Sequence, residues 1–326
     1  MSISPALETE PNQGVIAEST AVLAKHGRSF RLASHFLPKK NRNDAAIVYA
    51  FCRLVDDLAD EAPNPQVARS DLDQVLRELH NEVTPRPLIE AFLGVCHRCQ
   101  IDLAVSVHLI EAVLGDLNPV AVQEDAELLR YCYGVAGTVG LMMCGVLGVQ
   151  DADAKAHAID LGIAMQLTNI SRDVREDAQM GRVYLPQSRL LSANSSHQDL
   201  LSGEAEGADV AKVVQQLLAL AERYYSSAEE GLRFIPGRPR SAIVIASRVY
   251  RAIGLRLLRV HGGNALLGRT VVPKWERAWW VLRGVLGSLS PRVLGLRRYC
   301  PHEADLHDAL ADLPGANAGA LLGGTP

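Results

Sequence analysis

Apolar residues recur at three- and four-residue intervals along almost the whole chain, the spacing of an amphipathic helix. The pattern predicts helices over Ala45–Asp60, Leu72–Leu79, Pro87–Leu114, Ala126–Leu147, Ala154–Asp177, Val210–Phe234 and Ser241–Val260. Helix-stopping residues separate them: Pro38, Pro63 and Pro65, Pro85 and Pro87, Asn118–Pro119, Gly181, Pro186, Ile235–Pro236–Gly237 and Gly262–Gly263. Strand-like alternation is not sustained anywhere, and the polar stretch Ser192–Gly207 is expected to be a loop. With no repeat period and no dividing linker, the expectation is all-α: a single-domain helical bundle over 15–300. A flexible N-terminus (1–14) precedes it and a disordered Gly/Ala/Pro-rich tail (301–326) follows.

One segment departs from amphipathicity. Tyr131–Gln150 has no charged residue and is long enough to span a bilayer, yet it holds five glycines (134, 137, 140, 145 and 148). Each glycine costs a helix about 1 kcal/mol relative to alanine. Their spacing instead suits a smooth helix face that another backbone or a bulky apolar ligand approaches closely. No second span or basic flank supports a membrane crossing.

Composition and charge refine this picture. Of 326 residues, 48% are hydrophobic and only 5% aromatic, which suits helices better than a β-sandwich. The net charge of −4 is uneven. Arg248–Arg298 carries eleven basic residues and one acid, leaving 22 basic and 36 acidic residues elsewhere, or −14. That split suggests that the C-terminal part faces something anionic. The six cysteines are scattered and no signal peptide is evident, so reduced thiols and a cytoplasmic location, with peripheral contact on the inner membrane face, are expected. Cys96-His-Arg-Cys99 is a lone CxxC with no partner pair, better explained as helical core, and the ten histidines show no ligand spacing. There is no GxGxxG or P-loop, and no nucleic-acid partner is expected.

The candidate chemistry lies in two acid clusters. Asp56 and Asp60 are four apart at the end of an apolar helix and face one way, while Asp57 turns aside. Gln166, Asn169, Asp173 and Asp177 step by three, four and four, forming a polar stripe on another apolar helix. Like charges at i,i+4, or at a helix C-terminus, are unfavourable unless a cation sits between them. Mg²⁺, with Mn²⁺ as a substitute, prefers a few carboxylates plus water and phosphate oxygens, so two such pairs could hold several ions around a diphosphate. Either cluster alone could be a solvated helix face; two together, with amide and Arg neighbours, favour a metal site.

At these residues the sequence resembles the squalene/phytoene synthase family, over about His26–Lys274. The ordered motifs are HGRSF (26–30), YAFCRLVDDLAD (49–60), YCYGVAGTVG (131–140), the second acid stripe, GRVYLP (181–186) and GRTVVPK (268–274). The resemblance implies the isoprenoid synthase fold with a central substrate cavity, and places the Gly-rich stretch on the substrate tunnel. It matches Asp56, Asp60, Asn169, Asp173 and Asp177 to metal ligands. Ser29, Arg53, Arg172 and Arg269, with Gln166, correspond to the diphosphate-binding set, and Tyr131 to a tyrosine near the reacting carbons. By residue type alone Tyr131 and Tyr133 are equivalent.

The implied activity is head-to-head (1'-1) condensation of two prenyl diphosphates through a cyclopropyl diphosphate intermediate. Phytoene from two geranylgeranyl diphosphates is the first expectation. Squalene, dehydrosqualene or presqualene diphosphate from farnesyl diphosphate is the alternative, and NADPH enters only for squalene. Partnership with enzymes acting next on the product would follow. A chain-elongating prenyltransferase would need a second DDxxD, and a terpene cyclase would need Ser and Glu ligands in the second motif. A non-catalytic helical assembly factor of the same ancestry is opposed by the intact acid motifs. Finally, Lys274–Arg283 mixes basic residues with Trp275, Trp279 and Trp280, the composition of an interfacial helix or of simple packing.

Overall fold

The computed structural model describes residues 12–316, except 28–29, 32–33, 150 and the side chain of Ala152. Thirteen α-helices account for most of them: α1 Gln13–His26, α2 Lys39–Asp60, α3 Pro65–Leu79, α4 Pro87–Cys99, α5 Leu103–Gly115, α6 Asp125–Cys132, α7 Thr138–Leu147, α8 Ala152–Gln179, α9 Gln187–Ser192, α10 His197–Ser202, α11 Gly207–Gly231, α12 Gly237–His261 and α13 Lys274–Gly287. The helices close around one main core. Ile47, Val48, Phe51 and Val55 form the buried stripe of α2, and Phe51 stacks on Phe92 of α4 with centroids 3.9 Å apart. Among the described residues the one β-type contact is an isolated bridge, Ala121 to Val183.

Several boundaries differ from expectation for local reasons. The apolar run 87–114 is two helices, because Gln100 adopts a left-handed φ of 53° and Asp102 caps α5 by accepting from Ala104 N. The run 126–147 is interrupted by a π-turn at Tyr133–Gly137. Within 192–207, Ser196 caps the short helix α10, accepting from Asp199 N at 3.2 Å. Residues 301–316, expected to be disordered, instead fold back in a 3₁₀ segment, Ala304–Leu310, with Leu306, His307 and Leu310 buried. Tyr224 hydroxyl donates to Leu306 O at 2.7 Å, and Arg130 grips Asp312. Composition missed this because a few leucines and backbone carbonyls anchor an otherwise Ala/Gly-rich segment. Residues 317–326, and 1–11 of the N-terminal segment, lie outside the described residues.

No helix among the described residues is long and apolar enough to cross a membrane. The glycines of the uncharged segment serve close packing instead. A Cβ on Gly140 would lie 2.2 Å from Ala158 O, and one on Gly162 would lie 2.2 Å from Ala136 O. The α8 backbone therefore touches those of α7 and of the π-turn before it without intervening side chains. The basic C-terminal part also finds internal partners. Arg248, Arg251 and Arg292 pair with Glu229, while Arg256 and Arg259 pair with Glu276. Part of the charge asymmetry is thus neutralised within the fold, while Lys274, Arg297 and Arg298 stay exposed.

Candidate active site

Two cavities meet inside the bundle. One, of about 280 Å³, is polar and is lined by Asp56, Asp60, Asp116, Tyr131, Gln166, Asn169, Asp173, Asp177, Arg182 and Tyr184. The other, of about 350 Å³, is mostly apolar; Phe30, Tyr49, Val139, Met143, Met165 and Tyr250 are among the residues along its wall. Asp56, Val135, Gln166 and Asn169 border both, so they mark the passage between them. Gly140 and Gly162 lie on the apolar wall, which is how the small-residue face expected from the sequence is used.

The helices supply the acids from opposite sides. Asp56 and Asp60 project from the last turn of α2, and Asn169, Asp173 and Asp177 follow one face of α8. Burial, reinforced by Asp60, Asp57 and Asp116, pushes the Asp56 carboxyl up to about 7 against the pull of Arg53. Burial and then Asp173 push Asp177 to about 7 as well. Carboxyls crowded until they hold protons near neutrality are what a hard divalent cation would relieve. The donors here are oxygens of carboxylates and amides, with Asn169 donating to Gln166 Oε1 at 3.3 Å. The donor set fits a magnesium-type ion.

Arginines temper this charge. Arg172 chelates Asp173, and Arg269 reaches the same carboxylate with Nε at 3.0 Å from Oδ1. Arg53 instead pairs along its own helix with Asp57, which turns aside from the polar cavity as expected. Arg53 and Arg172 are absent from the lining of both cavities, whereas Asp56, Asp60, Gln166, Asn169, Asp173 and Asp177 line the polar one. Ser29 lies outside the described residues.

Three site residues were not anticipated. Asp116 caps the C-terminus of α5, and Arg182 and Tyr184 come from the GRVYLP segment. Val183 N donates to Val120 O at 2.9 Å and Val122 N to Val183 O at 3.1 Å, which fastens that segment beside the end of α5. Arg182 then reaches Asp60 Oδ1 at 3.2 Å. Tyr131 donates to Asp116 Oδ2 at 2.9 Å and stacks on Tyr184, centroids 4.6 Å apart. Burial pushes Asp116 up to about 6, although hydrogen bonds from Tyr131 and Tyr184 and the charge of Arg182 oppose it. An acid at a helix C-terminus is the same signal that singled out Asp56 and Asp60, and it was available for Asp116. Tyr133, by contrast, is buried and donates to Pro314 O, so the two tyrosines have different duties.

The family profile for squalene/phytoene synthase matches residues 23–276. This chain belongs to that family. Within the squalene/phytoene synthases it is 36% identical to a 15-cis-phytoene synthase of Paracoccus sp. over 253 residues, covering 74% of this chain and 82% of that protein. It is 38% identical to a phytoene synthase of Thermus thermophilus over 274 residues, covering 83% and 92%. Its fold superposes on a ligand-bound dehydrosqualene synthase with a TM-score of 0.75 at 30% identity, covering 83% of this chain and 95% of that one. Members of the squalene/phytoene synthase family are prenyltransferases that generally use a divalent metal, in keeping with the paired acids lining the polar cavity.

Proposed function

We propose that this protein joins two geranylgeranyl diphosphates head to head, giving phytoene and two diphosphates, the two protons lost from the joined hydrocarbon being taken up by the diphosphates. The observation that carries the reading is the junction itself: an acid- and arginine-lined cavity opening through Asp56, Val135, Gln166 and Asn169 onto an apolar one. A prenyl diphosphate has the same two-part character. Its diphosphate suits the polar cavity and its hydrocarbon tail the apolar cavity.

Asp56, Asp60, Asn169, Asp173 and Asp177 would hold Mg²⁺, which supplies Lewis-acid stabilisation of the departing diphosphate. Arg172 and Arg269 stand beside Asp173, where they can take up negative charge on the phosphate oxygens. The apolar wall excludes water from an allylic cation, and the rings of Tyr49, Phe30 and Tyr250 offer it a favourable face. Tyr131 remains a neutral phenol, since burial and then Asp116 raise it well above the ordinary tyrosine value. Its proton is held by Asp116, and the pair lines the polar cavity as an acid–base couple. Formation of phytoene needs no reductant, so NADPH is not required; a squalene synthase reading would require it.

The protein is also proposed to rest on anionic membrane. Trp275 and Trp279 of α13 are 71% and 52% exposed, and Leu282, Leu286, Leu289 and Leu296 are exposed alongside Lys274, Arg297 and Arg298. That mixture suits the interface through which apolar substrate and product travel.

The test is incubation of purified protein with Mg²⁺ and either farnesyl or geranylgeranyl diphosphate, with and without NADPH, followed by mass identification of products. A C40 triene formed without NADPH is expected. A C30 product would move the assignment to the squalene-type branch, and absence of diphosphate release from both substrates would overturn catalysis.

A further inference from the structure

Away from the acids of the polar cavity, α8 carries a buried carboxylate, Asp160, whose surroundings are not those of a simple ion pair. Asp160 is fully buried, and Ser227 of α11 donates to its Oδ2 at 2.5 Å. Two imidazoles from the segment after α13 close on it. His307 Nε2 lies 2.8 Å from Oδ1 and His302 Nε2 lies 3.0 Å from Oδ2, with the two rings 4.2 Å apart. One atom from each of the three residues falls within a common 4.8 Å.

The proton positions are constrained by the outer partners. His307 Nδ1 is 3.3 Å from the carbonyl oxygen of Ala316, which can only accept, so Nδ1 carries a hydrogen. A neutral His307 then turns the lone pair of Nε2 toward a carboxylate oxygen, an arrangement that needs a cation between them or a second proton on the ring. His302 Nε2 is buried, near the same carboxylate, and makes no hydrogen bond. His157 is already committed. Ser227 spends its single proton on Asp160, so His157 Nδ1 donates to Ser227 Oγ at 3.1 Å, and Tyr299 hydroxyl donates to His157 Nε2 at 3.0 Å. The ring of His157 therefore props Ser227 and leaves the other two imidazoles to share Asp160.

We propose that Asp160, His302 and His307 form a binding site for a divalent transition-metal ion of the zinc type, with one coordination position left to water. Two imidazole nitrogens and one carboxylate suit such an ion better than magnesium, which favours an all-oxygen shell. A backbone carbonyl holding Nδ1–H, and a hydroxyl on the carboxylate, are the usual outer partners of metal-bound His and Asp. The ion would fasten residues 302–307 to α8 one turn from His157 and beside Leu161, both of which line the apolar cavity. The site is thus a staple for the chain's folded-back segment rather than part of the diphosphate chemistry.

The test uses metal-stripped full-length protein held in excess Mg²⁺, so that the acidic cavity is occupied, and titrated calorimetrically with Zn²⁺. One ion per chain is expected, at micromolar affinity or tighter, with a rise in thermal midpoint. Co²⁺ in place of Zn²⁺ should give the intense visible absorption of a four-coordinate site. Binding should persist in Asp173→Asn and weaken at least about 100-fold in His302→Gln, more than loss of an outer partner produces. The wild-type titration needs no variant to fold. Absence of zinc binding under magnesium, or binding indifferent to His302→Gln, would overturn the proposal and leave His307 as an imidazolium paired with Asp160.

Discussion

Tyr131 and Asp116 form a half-buried hydrogen bond of 2.9 Å in the wall of the polar cavity, and Tyr184 hydroxyl reaches the same Oδ2 at 3.2 Å. Two phenols converging on one oxygen hold that carboxylate in place and fix the Tyr131 ring against Tyr184. Tyr131→Phe removes the hydroxyl and leaves the stack. Its kcat should fall about 10²-fold or more, the scale of a lost proton-handling group, while KM changes little. Tyr133→Phe, whose hydroxyl serves only Pro314 O, should leave kcat near wild type. Steady-state kinetics on both variants, with circular dichroism as a fold control, checks the distinction.

Metal dependence should be absolute. Chelator-treated protein is expected to release no diphosphate and to recover with Mg²⁺ or Mn²⁺. Asp173→Asn leaves Arg172 and Arg269 without their shared carboxylate as well as removing a ligand, so kcat should drop by about 10²–10³-fold. Coupled diphosphate-release assays across a metal titration would show whether the loss is only in metal affinity, which added metal would rescue.

Acid stability has a separate source. Burial alone would raise Glu78, but Arg86, bonding through Nε, Nη2 and its backbone N–H, outweighs it and holds the carboxyl below its ordinary range. A carboxyl depressed in the folded state binds fewer protons there than when unfolded. Its stabilisation is therefore full above the ordinary glutamate value of about 4.3 and is lost as pH falls through the lower folded value. Glu78→Gln should cost about 1–3 kcal/mol at pH 7, with the gap from wild type narrowing as pH falls below about 4. Urea unfolding at the two pH values measures both.

Chain length should respond to the apolar cavity's wall. Ala246 of α12 is buried and lines it. Ala246→Phe should lower kcat/KM for the C20 substrate relative to the C15 substrate by at least about 10-fold, and cost about 1–3 kcal/mol of stability through overpacking. Product masses from mixed substrates would report the shift.

The helical class was legible because apolar periodicity survives in nearly every segment, and the acid stripe Asn169–Asp173–Asp177 because it interrupts an otherwise apolar helix. Asp116 and Arg182 were not singled out. Asp116 carried the same helix-end signal as Asp56 and Asp60, whereas Arg182 depends on a β-type bridge between 121 and 183, which local sequence does not encode. His302 and His307 show no ligand spacing along the chain, and only the fold brings them to Asp160. Part of the basic excess is offset within the fold, by Glu222, Glu229 and Glu230 on a different helix, which local sequence does not reveal.

The contact at Gly140 and Gly162 bears on how such a cavity can change through evolution. Where main chain meets main chain at that distance, any added side chain would pry the two helices apart before it could reshape the lumen. That side behaves as a fixed mould. New specificities must be written on the facing surfaces, in the alanines of α12 and the larger side chains of α2, where a substitution alters volume without unseating a helix.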